Sequence, residues 1–295
     1  MRRPELAPPG SLVHIVAPSG PFDEILLRRG MAALGDYDFF HEPTMVGRQT
    51  GFLAGDDQSR LLELQRALDS TEARVVWLAR GGYGLGRIAH RLDWSAFAVR
   101  PKWIVGFSDG TVLHQACLSH AITSLHGPNV TSLADASPDD VASLRAALGG
   151  APASVTRDLG CLAPGRAEGP LVGGNLTVLC TLAAAGQLAL PKGAILFLED
   201  VDETSYRVDR MLTALLLGGH LSQVCGIVLG QFTNCRPGRF DVPVEDVLAR
   251  TLTPLGLPVV DGFPSGHGQP RQTWVHGGWV TLDAGAGTLT PRALG

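Results

Sequence analysis

The chain has 295 residues, of which 45% are hydrophobic and 18% charged, with a formal net charge of −4. This balance is typical of a globular protein with a sizeable core and excludes an intrinsically disordered chain. The basic residues form no run, so neither nucleic acid nor an anionic membrane is expected as a partner. No apolar stretch approaches the roughly 20 residues of a membrane span, and the first residues lack the apolar core of a signal peptide. We therefore expect a cytoplasmic protein.

The five cysteines, at positions 117, 161, 180, 225 and 235, show no C-x-x-C spacing. An odd number without paired spacing argues against a disulfide framework and against structural zinc. The sequence also contains no H-E-x-x-H motif and no other clustered set of histidine and acidic ligands. We expect neither a metal nor another cofactor.

The first half of the chain alternates predicted strands with predicted helices. Strands are predicted at 12–18, 74–80 and 102–107, and helices at 23–34, 56–70 and 84–92. Such an order predicts right-handed βαβ units and a mostly parallel sheet. The fold class is therefore α/β.

Residues 135–167 are rich in Ala, Pro, Gly and Asp and show little periodicity beyond one short helix. Such a composition predicts an inter-domain connection. The connection would separate an N-terminal α/β domain at 1–134 from a smaller C-terminal α/β or barrel-like domain at 168–295.

The second domain begins with a predicted strand and helix at 169–186. Buried strands are predicted at 194–200 and 224–232, and an amphipathic helix at 206–219 ends in two glycines. From Val259 onward, short alternating runs between Gly and Pro predict an antiparallel or barrel-like end.

The segment GFSDGT at 106–111 follows a predicted strand and opens a predicted helix. Gly106 and Gly110 flank Ser108 at two residues on each side, as a nucleophile elbow requires. Serine is also a common helix N-cap, so the segment alone leaves the nucleophile and the cap equally open.

A serine nucleophile needs a general base, and the loop PSGHGQP presents His267 just after a predicted strand. His276 is the nearest competitor. Packing within a strand and a helix accounts for His14 and His90. His114 and His120 follow Ser108 on its own predicted helix, where their side chains are expected to point away from the elbow.

An acid is needed to orient the base, and FLEDVDE offers four at the end of a buried strand, which are Glu199, Asp200, Asp202 and Glu203. Asp202 and Glu203 are explained by the preference for acids at helix N-termini. Glu199 is still on the strand and is harder to explain in that way, although spacing alone does not choose between the acids.

The glycine-rich segment RGGYGLG at 80–86 follows another predicted strand. Such a turn exposes backbone N–H groups that can stabilise an oxyanion or cradle a phosphate. The segment lacks the Lys and Ser/Thr of a P-loop and does not match G-x-G-x-x-G, which argues against nucleotide binding.

Together these segments resemble the LD-carboxypeptidases, a family of serine peptidases that includes murein tetrapeptide carboxypeptidases and microcin C self-immunity proteins. The resemblance runs in order through VAPSG (16–20), RGGYG (80–84), GFSDGT (106–111), LHGPN (125–129), GGNLT (173–177), FLEDVDETSYRVDRML (197–212) and GHG (266–268). It implies an N-terminal domain like that of class I glutamine amidotransferases and a smaller C-terminal domain.

The resemblance also implies a metal-free Ser–Glu–His triad. Ser108 would be the nucleophile, Glu199 the orienting acid and His267 the base. The backbone N–H groups of Gly82 and Asp109 would form the oxyanion hole.

The expected reaction is hydrolysis of the amide between an L-configured centre and a terminal D-alanine in a murein tetrapeptide, during peptidoglycan recycling. An exopeptidase must recognise the free terminal carboxylate, which calls for a cation near the cleft. Arg80 and Arg207 are the candidates, although each has an alternative structural role. We expect a homodimer.

Three other functions remain open from the sequence. Within the family, hydrolysis of a microcin-like peptidyl-adenylate is the alternative. An α/β-hydrolase esterase fits the elbow and the chain order of the triad, but the HGGG-type oxyanion loop is missing. A non-catalytic peptide-binding module would keep a cleft and need no triad.

Overall fold

A computed structural model describes residues 1–150, 155–238 and 242–292. The chain divides into two compact units. The first consists of Met1–Pro152 and Pro270–Val275, and the second of Ala153–Gln269 and His276–Gly295. The described residues form a mixed α/β fold with two β-sheets. None of the described helices is long and apolar enough to cross a membrane.

The elements are numbered along the chain. The strands are Leu12–Val16 (β1), Asp38–Phe40 (β2), Val75–Leu78 (β3), Trp103–Gly106 (β4), Ser124–His126 (β5), Gly160–Ala163 (β6), Arg166–Asn175 (β7), Ala194–Val201 (β8), Val224–Thr233 (β9), Val259–Asp261 (β10), Trp274–His276 (β11), Trp279–Asp283 (β12) and Thr288–Pro291 (β13). The α-helices are Glu24–Ala33 (α1), Asp57–Asp69 (α2), Leu85–Ile88 (α3), Ser95–Val99 (α4), Thr111–Ser119 (α5), Pro138–Gly149 (α6), Leu176–Ala184 (α7), Ser205–Leu217 (α8) and Val244–Leu252 (α9).

The first sheet has six strands in the order β11-β5-β4-β3-β1-β2. The pairs from β2 through β5 are parallel, which confirms the predicted parallel sheet. Strands β3 and β4 are buried along their whole length, as expected for central strands covered on both faces. Because these two strands are parallel neighbours, the loops that follow Leu78 and Gly106 leave the same edge of the sheet.

The second sheet has seven strands in the order β13-β12-β7-β8-β9-β10-β6. Strands β7 to β10 pair in parallel, whereas β12 is antiparallel to both β7 and β13. The antiparallel end predicted for the tail is therefore confirmed for β12 and β13, while β10 lies parallel to β9. Strand β8 is buried from Ala194 to Asp200 and carries Glu199 near its carboxyl end.

The local sequence explains where several helices begin and which face they bury. Helix α2 begins after Asp56, whose side chain accepts the N–H of Ser59. Helix α8 buries Val208, Leu212 and Leu215 at spacings of three and four residues, as its amphipathic pattern predicts. These helices match their predicted positions closely.

The residues predicted to form an inter-domain connection, 135–167, are divided between the two units. Helix α6 begins with a capping box formed by Ser137 and Asp140, and its Leu144 and Leu148 enter the core of the first unit. Residues 151–154 of this segment lie outside the described residues. Strand β6 then joins the second sheet. The units therefore divide the chain differently from the predicted domains, because α6 buries apolar residues in the first unit and β11 joins the first sheet from late in the sequence.

Candidate active site

Ser108 stands on a tight turn directly after β4. The strand ends at Gly106, a 3-10 turn covers Ser108–Gly110, and α5 follows. Ser108 has φ +63°, a left-handed conformation that costs a residue other than glycine about 1–3 kcal/mol. Helix N-caps normally have extended backbone instead. The conformation therefore favours a nucleophile elbow over an N-cap.

Close packing explains the glycines on both sides of Ser108. A Cβ at Gly106 would lie 2.6 Å from Leu78 Cδ1 and 2.9 Å from Asn129 Oδ1. A Cβ at Gly110 would lie 2.8 Å from Leu78 Cδ1. Asn129 Oδ1 also accepts the N–H of the residue before Ser108 at 3.3 Å. The elbow is thus held by a leucine from β3 and by the buried asparagine of the LHGPN segment.

The glycine turn after β3 closely approaches Ser108. A Cβ at Gly81 would lie 2.8 Å from Ser108 Cβ and 2.9 Å from Ser108 Oγ. The carbonyl of Gly81 accepts the N–H of Gly20 at 3.1 Å, and Gly82 has φ +108°. The family resemblance suggested Gly82 as an oxyanion donor. The contact at Gly81 was missed, because a run of glycines does not show which one faces the serine.

Replacing Gly81 by alanine should lower kcat by about 100-fold or more, because the added methyl group would displace the Ser108 hydroxyl. The check is steady-state hydrolysis of a tetrapeptide, measured alongside thermal unfolding. Gly86→Ala is a matched control, since no atom lies within 4 Å of a Cβ at that position. The control should keep kcat within about twofold of wild type. Equal activity of the two variants would contradict the contact.

His114 is a buried histidine that holds the end of β4. Its Nε2 donates to the Gly106 carbonyl at 2.8 Å, and its Nδ1 accepts from the Ser124 hydroxyl at 2.8 Å. Burial lowers the pKa of His114 to about 4. The ring is therefore neutral at pH 7 and is bonded at both nitrogens, an arrangement that serves packing of the elbow rather than proton transfer.

Because the pKa of His114 is about 4 in the folded chain and about 6.5 when unfolded, the protein should lose stability as the pH falls between these values. Only the unfolded chain takes up the proton in this range. The wild type should lose about 3 kcal/mol more unfolding free energy than His114→Gln between pH 7 and pH 4. Urea unfolding of both proteins at several pH values checks this, and parallel pH profiles would contradict it.

Glu199 and His267 form a hydrogen-bonded pair in the second unit, although they are 68 positions apart in the chain. Glu199 Oε2 accepts from His267 Nδ1 at 2.7 Å. The Glu199 side chain has no exposed surface, whereas the His267 side chain is 17% exposed. A carboxylate on Nδ1 fixes the tautomer and ring orientation, so that Nε2 can exchange a proton with a nucleophile. This is the geometry of the acid and base of a catalytic triad.

The backbone around His267 is held by glycines and by one glutamine. Gly266 has φ +140°, and a Cβ there would lie 3.2 Å from Glu199 Oε2. The N–H of Gly268 donates to Gln231 Oε1 at 2.8 Å. This role of Gln231 was not predicted, although a lone polar residue in the otherwise apolar strand VCGIVLGQF indicates a side chain with a specific contact.

The other acids near the end of β8 have different contacts. Asp200 accepts from the Asn175 side chain at 2.9 Å and from the N–H of Thr177 at 3.0 Å, so it anchors the start of α7. Burial raises the pKa of Asp200 and also that of Glu203. Glu203 Oε2 lies 2.9 Å from Arg207 Nε. The described contacts thus place Glu199, rather than Glu203, against the histidine.

The two candidate arginines have the alternative contacts that the sequence allowed. Arg80 is exposed, and its Nη1 donates to the Pro21 carbonyl at 2.5 Å, which braces the glycine turn. Arg207 forms an ion pair with Glu203, four residues earlier in the chain. Neither contact uses the whole guanidinium group, which has five donors.

His276, the competing base, is fully buried. Its Nε2 accepts the N–H of Gly173 at 3.1 Å. A histidine with this nitrogen bonded to the backbone serves packing rather than proton transfer. His120 is exposed, and its Nδ1 bonds the Ala116 carbonyl within its own helix turn.

Within the described ranges, no group of three or more histidine, cysteine, aspartate or glutamate side chains is arranged to hold a metal ion. The cysteines are free thiols. Burial raises the pKa of Cys117, and it raises that of Cys235 to about 11, so neither is a thiolate at pH 7.

Comparisons with known proteins cover both units. The family model of the LD-carboxypeptidase N-terminal domain matches residues 13–127, and that of the LD-carboxypeptidase C-terminal domain matches 168–282. A relative from Streptomyces coelicolor is 40% identical over 306 aligned residues, covering 98% of this chain and 95% of the relative. The murein tetrapeptide carboxypeptidase of Pseudomonas aeruginosa is 33% identical and covers 92% of each chain.

Solved structures agree with these matches. The muramoyltetrapeptide carboxypeptidase from Oxalobacter formigenes superposes with a TM-score of 0.85 at 30% identity, covering 95% of this chain and 98% of that one. The microcin C7 self immunity protein MccF has a TM-score of 0.87 but only 20% identity, which shows a shared fold.

The fold, the Glu–His pair and these matches define a hydrolase of the carboxypeptidase class. The chain belongs to the LD-carboxypeptidase family.

Proposed function

We propose that this protein releases the terminal D-alanine from a murein tetrapeptide, using Ser108 as nucleophile, His267 as general base and Glu199 as orienting acid. The observation that carries the proposal is the Glu199–His267 hydrogen bond of 2.7 Å, in which the Glu199 side chain has no exposed surface. The strained backbone of Ser108 supports it from the first unit. The substrate follows from the named Pseudomonas and Oxalobacter relatives.

In the proposed reaction, Ser108 attacks the carbonyl of the residue before D-alanine while His267 Nε2 takes the hydroxyl proton. The N–H groups of Gly82 and Asp109 stabilise the tetrahedral oxyanion. His267 then passes the proton to the leaving amine of D-alanine. Water, activated by the same histidine, hydrolyses the acyl-enzyme and restores the serine.

We further propose that Arg80 binds the terminal carboxylate of the substrate. No carboxylate of the described residues lies within 4 Å of its guanidinium, whereas Arg207 is already paired with Glu203. Arg80 also adjoins Gly81, which lies against Ser108. Exopeptidase specificity needs such a contact, because a substrate without the free carboxylate then leaves the cation unpaired.

The proposal predicts a sharp dependence on the free carboxylate and on the configuration of the terminal residue. The enzyme should release D-alanine from a synthetic tetrapeptide and should not act on the same peptide carrying a C-terminal amide or a terminal L-alanine. Arg80→Ala should raise KM mainly for the free acid, and Arg207→Ala serves as the matched arginine control. Mass spectrometry of the products checks this, and equal turnover of acid and amide would contradict it.

Three earlier expectations remain predictions and do not affect this reaction. They are the likeness of the first domain to class I glutamine amidotransferases, the cytoplasmic location in peptidoglycan recycling and the homodimer.

A further inference from the structure

A buried carboxylate follows Ser108 in the chain and crosses to the glycine turn. Asp109 is 4% exposed, and its Oδ2 accepts the N–H of Leu85 at 2.8 Å. Leu85 is the first residue of α3, which directly follows the glycine turn at 80–84. One side chain of the elbow therefore holds the backbone of the turn that closely approaches the Ser108 hydroxyl.

Asp109 is a buried acid that is held by hydrogen bonds rather than by a direct ion pair. Burial raises its pKa, while the Ser19 hydroxyl, the Leu85 N–H and the charge of Arg60 act in the opposite direction. No cation of the described chain lies within 4 Å of the carboxylate. A buried acid of this kind lowers stability unless its hydrogen bonds compensate for the lost hydration.

The loop after β1 contacts both the glycine turn at 80–84 and Asp109. The N–H of Gly20 donates to the Gly81 carbonyl at 3.1 Å, and the preceding Ser19 is fully buried beside Asp109. Arg60 is also fully buried and donates to the Pro18 carbonyl. The loop after β1 is thus tied to the glycine turn and adjoins the carboxylate, so the position of the turn relative to the elbow is set by buried polar contacts.

We propose that the Asp109 carboxylate is a positioning residue for the oxyanion hole, because it fixes the glycine turn that carries the Gly82 N–H relative to the Asp109 N–H. This inference rests on the proposed serine mechanism. Two donors stabilise an oxyanion only when both lie about 2.7–3.1 Å from the oxygen that develops the charge. A bond from Asp109 to Leu85, three residues beyond Gly82, restrains that distance.

A purely structural role is the competing explanation. Helix α3 has no side-chain cap at Gly84, so Asp109 also satisfies an N–H at the start of that helix. Loss of such a bond would lower stability without changing the rate of the folded enzyme. The two explanations therefore differ in kcat measured well below the unfolding temperature.

The test compares Asp109→Ala with Asp109→Asn, which keeps an oxygen acceptor. Asp109→Ala should lower kcat for D-alanine release by about 100-fold or more with KM nearly unchanged, as expected when an oxyanion donor is lost. Asp109→Asn should retain kcat within about tenfold of wild type. If the alanine variant does not fold, Asp109→Leu, which has a similar branched shape and no acceptor, takes its place.

Lys102 provides a control in the same unit. It is 3% exposed, and its Nζ donates to the Leu68 carbonyl at 2.6 Å. It directly precedes β4, at the opposite end of that strand from Ser108. Lys102→Ala should lower thermal stability but keep kcat within about threefold. If Lys102→Ala loses as much kcat as Asp109→Ala, the effect is a general one on the fold and the positioning role is wrong.

A peptidyl boronic acid gives a second readout, because its tetrahedral adduct on Ser108 places an oxygen where the oxyanion forms. Its affinity should fall in parallel with kcat in Asp109→Ala, while the affinity for the tripeptide product stays the same. Full kcat and full boronate affinity in Asp109→Ala would overturn this inference alone. Absence of D-alanine release by the wild-type enzyme would overturn it together with the proposed function.

Discussion

Replacing Ser108 by alanine should reduce kcat for D-alanine release by about 10⁴-fold or more, and His267→Ala should do the same. The first change removes the attacking oxygen, and the second removes the group that takes its proton. Steady-state assays on the tetrapeptide measure both. Thermal unfolding should change little for Ser108→Ala, because alanine keeps the Cβ and bears about the same strain at φ +63° as the serine does.

The double variant distinguishes a triad from two independent effects. Residues that act as a unit show strongly non-additive losses, so Ser108→Ala combined with His267→Ala should be little worse than either alone. Clearly additive effects would contradict the assignment of both residues to one mechanism.

Replacing Glu199 by glutamine should lower kcat by about 10³-fold, somewhat less than the loss of serine or histidine. Glutamine removes the negative charge that supports a protonated His267 and can present an N–H where Nδ1 needs an acceptor. Because Glu199 has no exposed surface and bonds Nδ1 at 2.7 Å, the change acts directly on the base. The effect should fall on kcat, with KM nearly unchanged.

Glu203→Gln is the matched control for Glu199→Gln. Both acids belong to the same FLEDVDE segment, but Glu203 contacts Arg207 rather than His267. Its kcat should stay within about tenfold of wild type. If Glu203→Gln proves the more damaging change, Glu199 is not the orienting acid.

Hydrophobic periodicity was sufficient to predict the elements with strong local patterns. Helix α8 has apolar residues at helical spacing and two terminal glycines, and β8 is a continuous apolar run. The short edge strand β2 was missed because it has three residues, of which two are exposed and one is partly buried. Helix α9 was also missed, although Val244, Val247 and Leu248 have helical spacing and are buried.

The elbow at Ser108 and the Glu199–His267 pair could be predicted from the sequence to different degrees. The elbow has a local signature, since both glycines lie two residues from Ser108. The pairing of Glu199 with His267 depends on contact between β8 and a loop far along the chain, so spacing left Glu199 and Glu203 open and the family resemblance made the choice. The buried contact from Asp109 to Leu85 could not be foreseen, because an acid after a strand is expected to face solvent or a helix end.

The most direct test of the account is residual D-alanine release measured against the fraction of Ser108 labelled by a fluorophosphonate. The reagent modifies activated serines, and peptide mass spectrometry locates and quantifies the adduct. We expect a single adduct on Ser108, with activity falling in proportion to labelling and reaching zero when labelling is complete. An adduct on another residue, or D-alanine release that survives complete labelling of Ser108, would contradict a serine mechanism at this elbow.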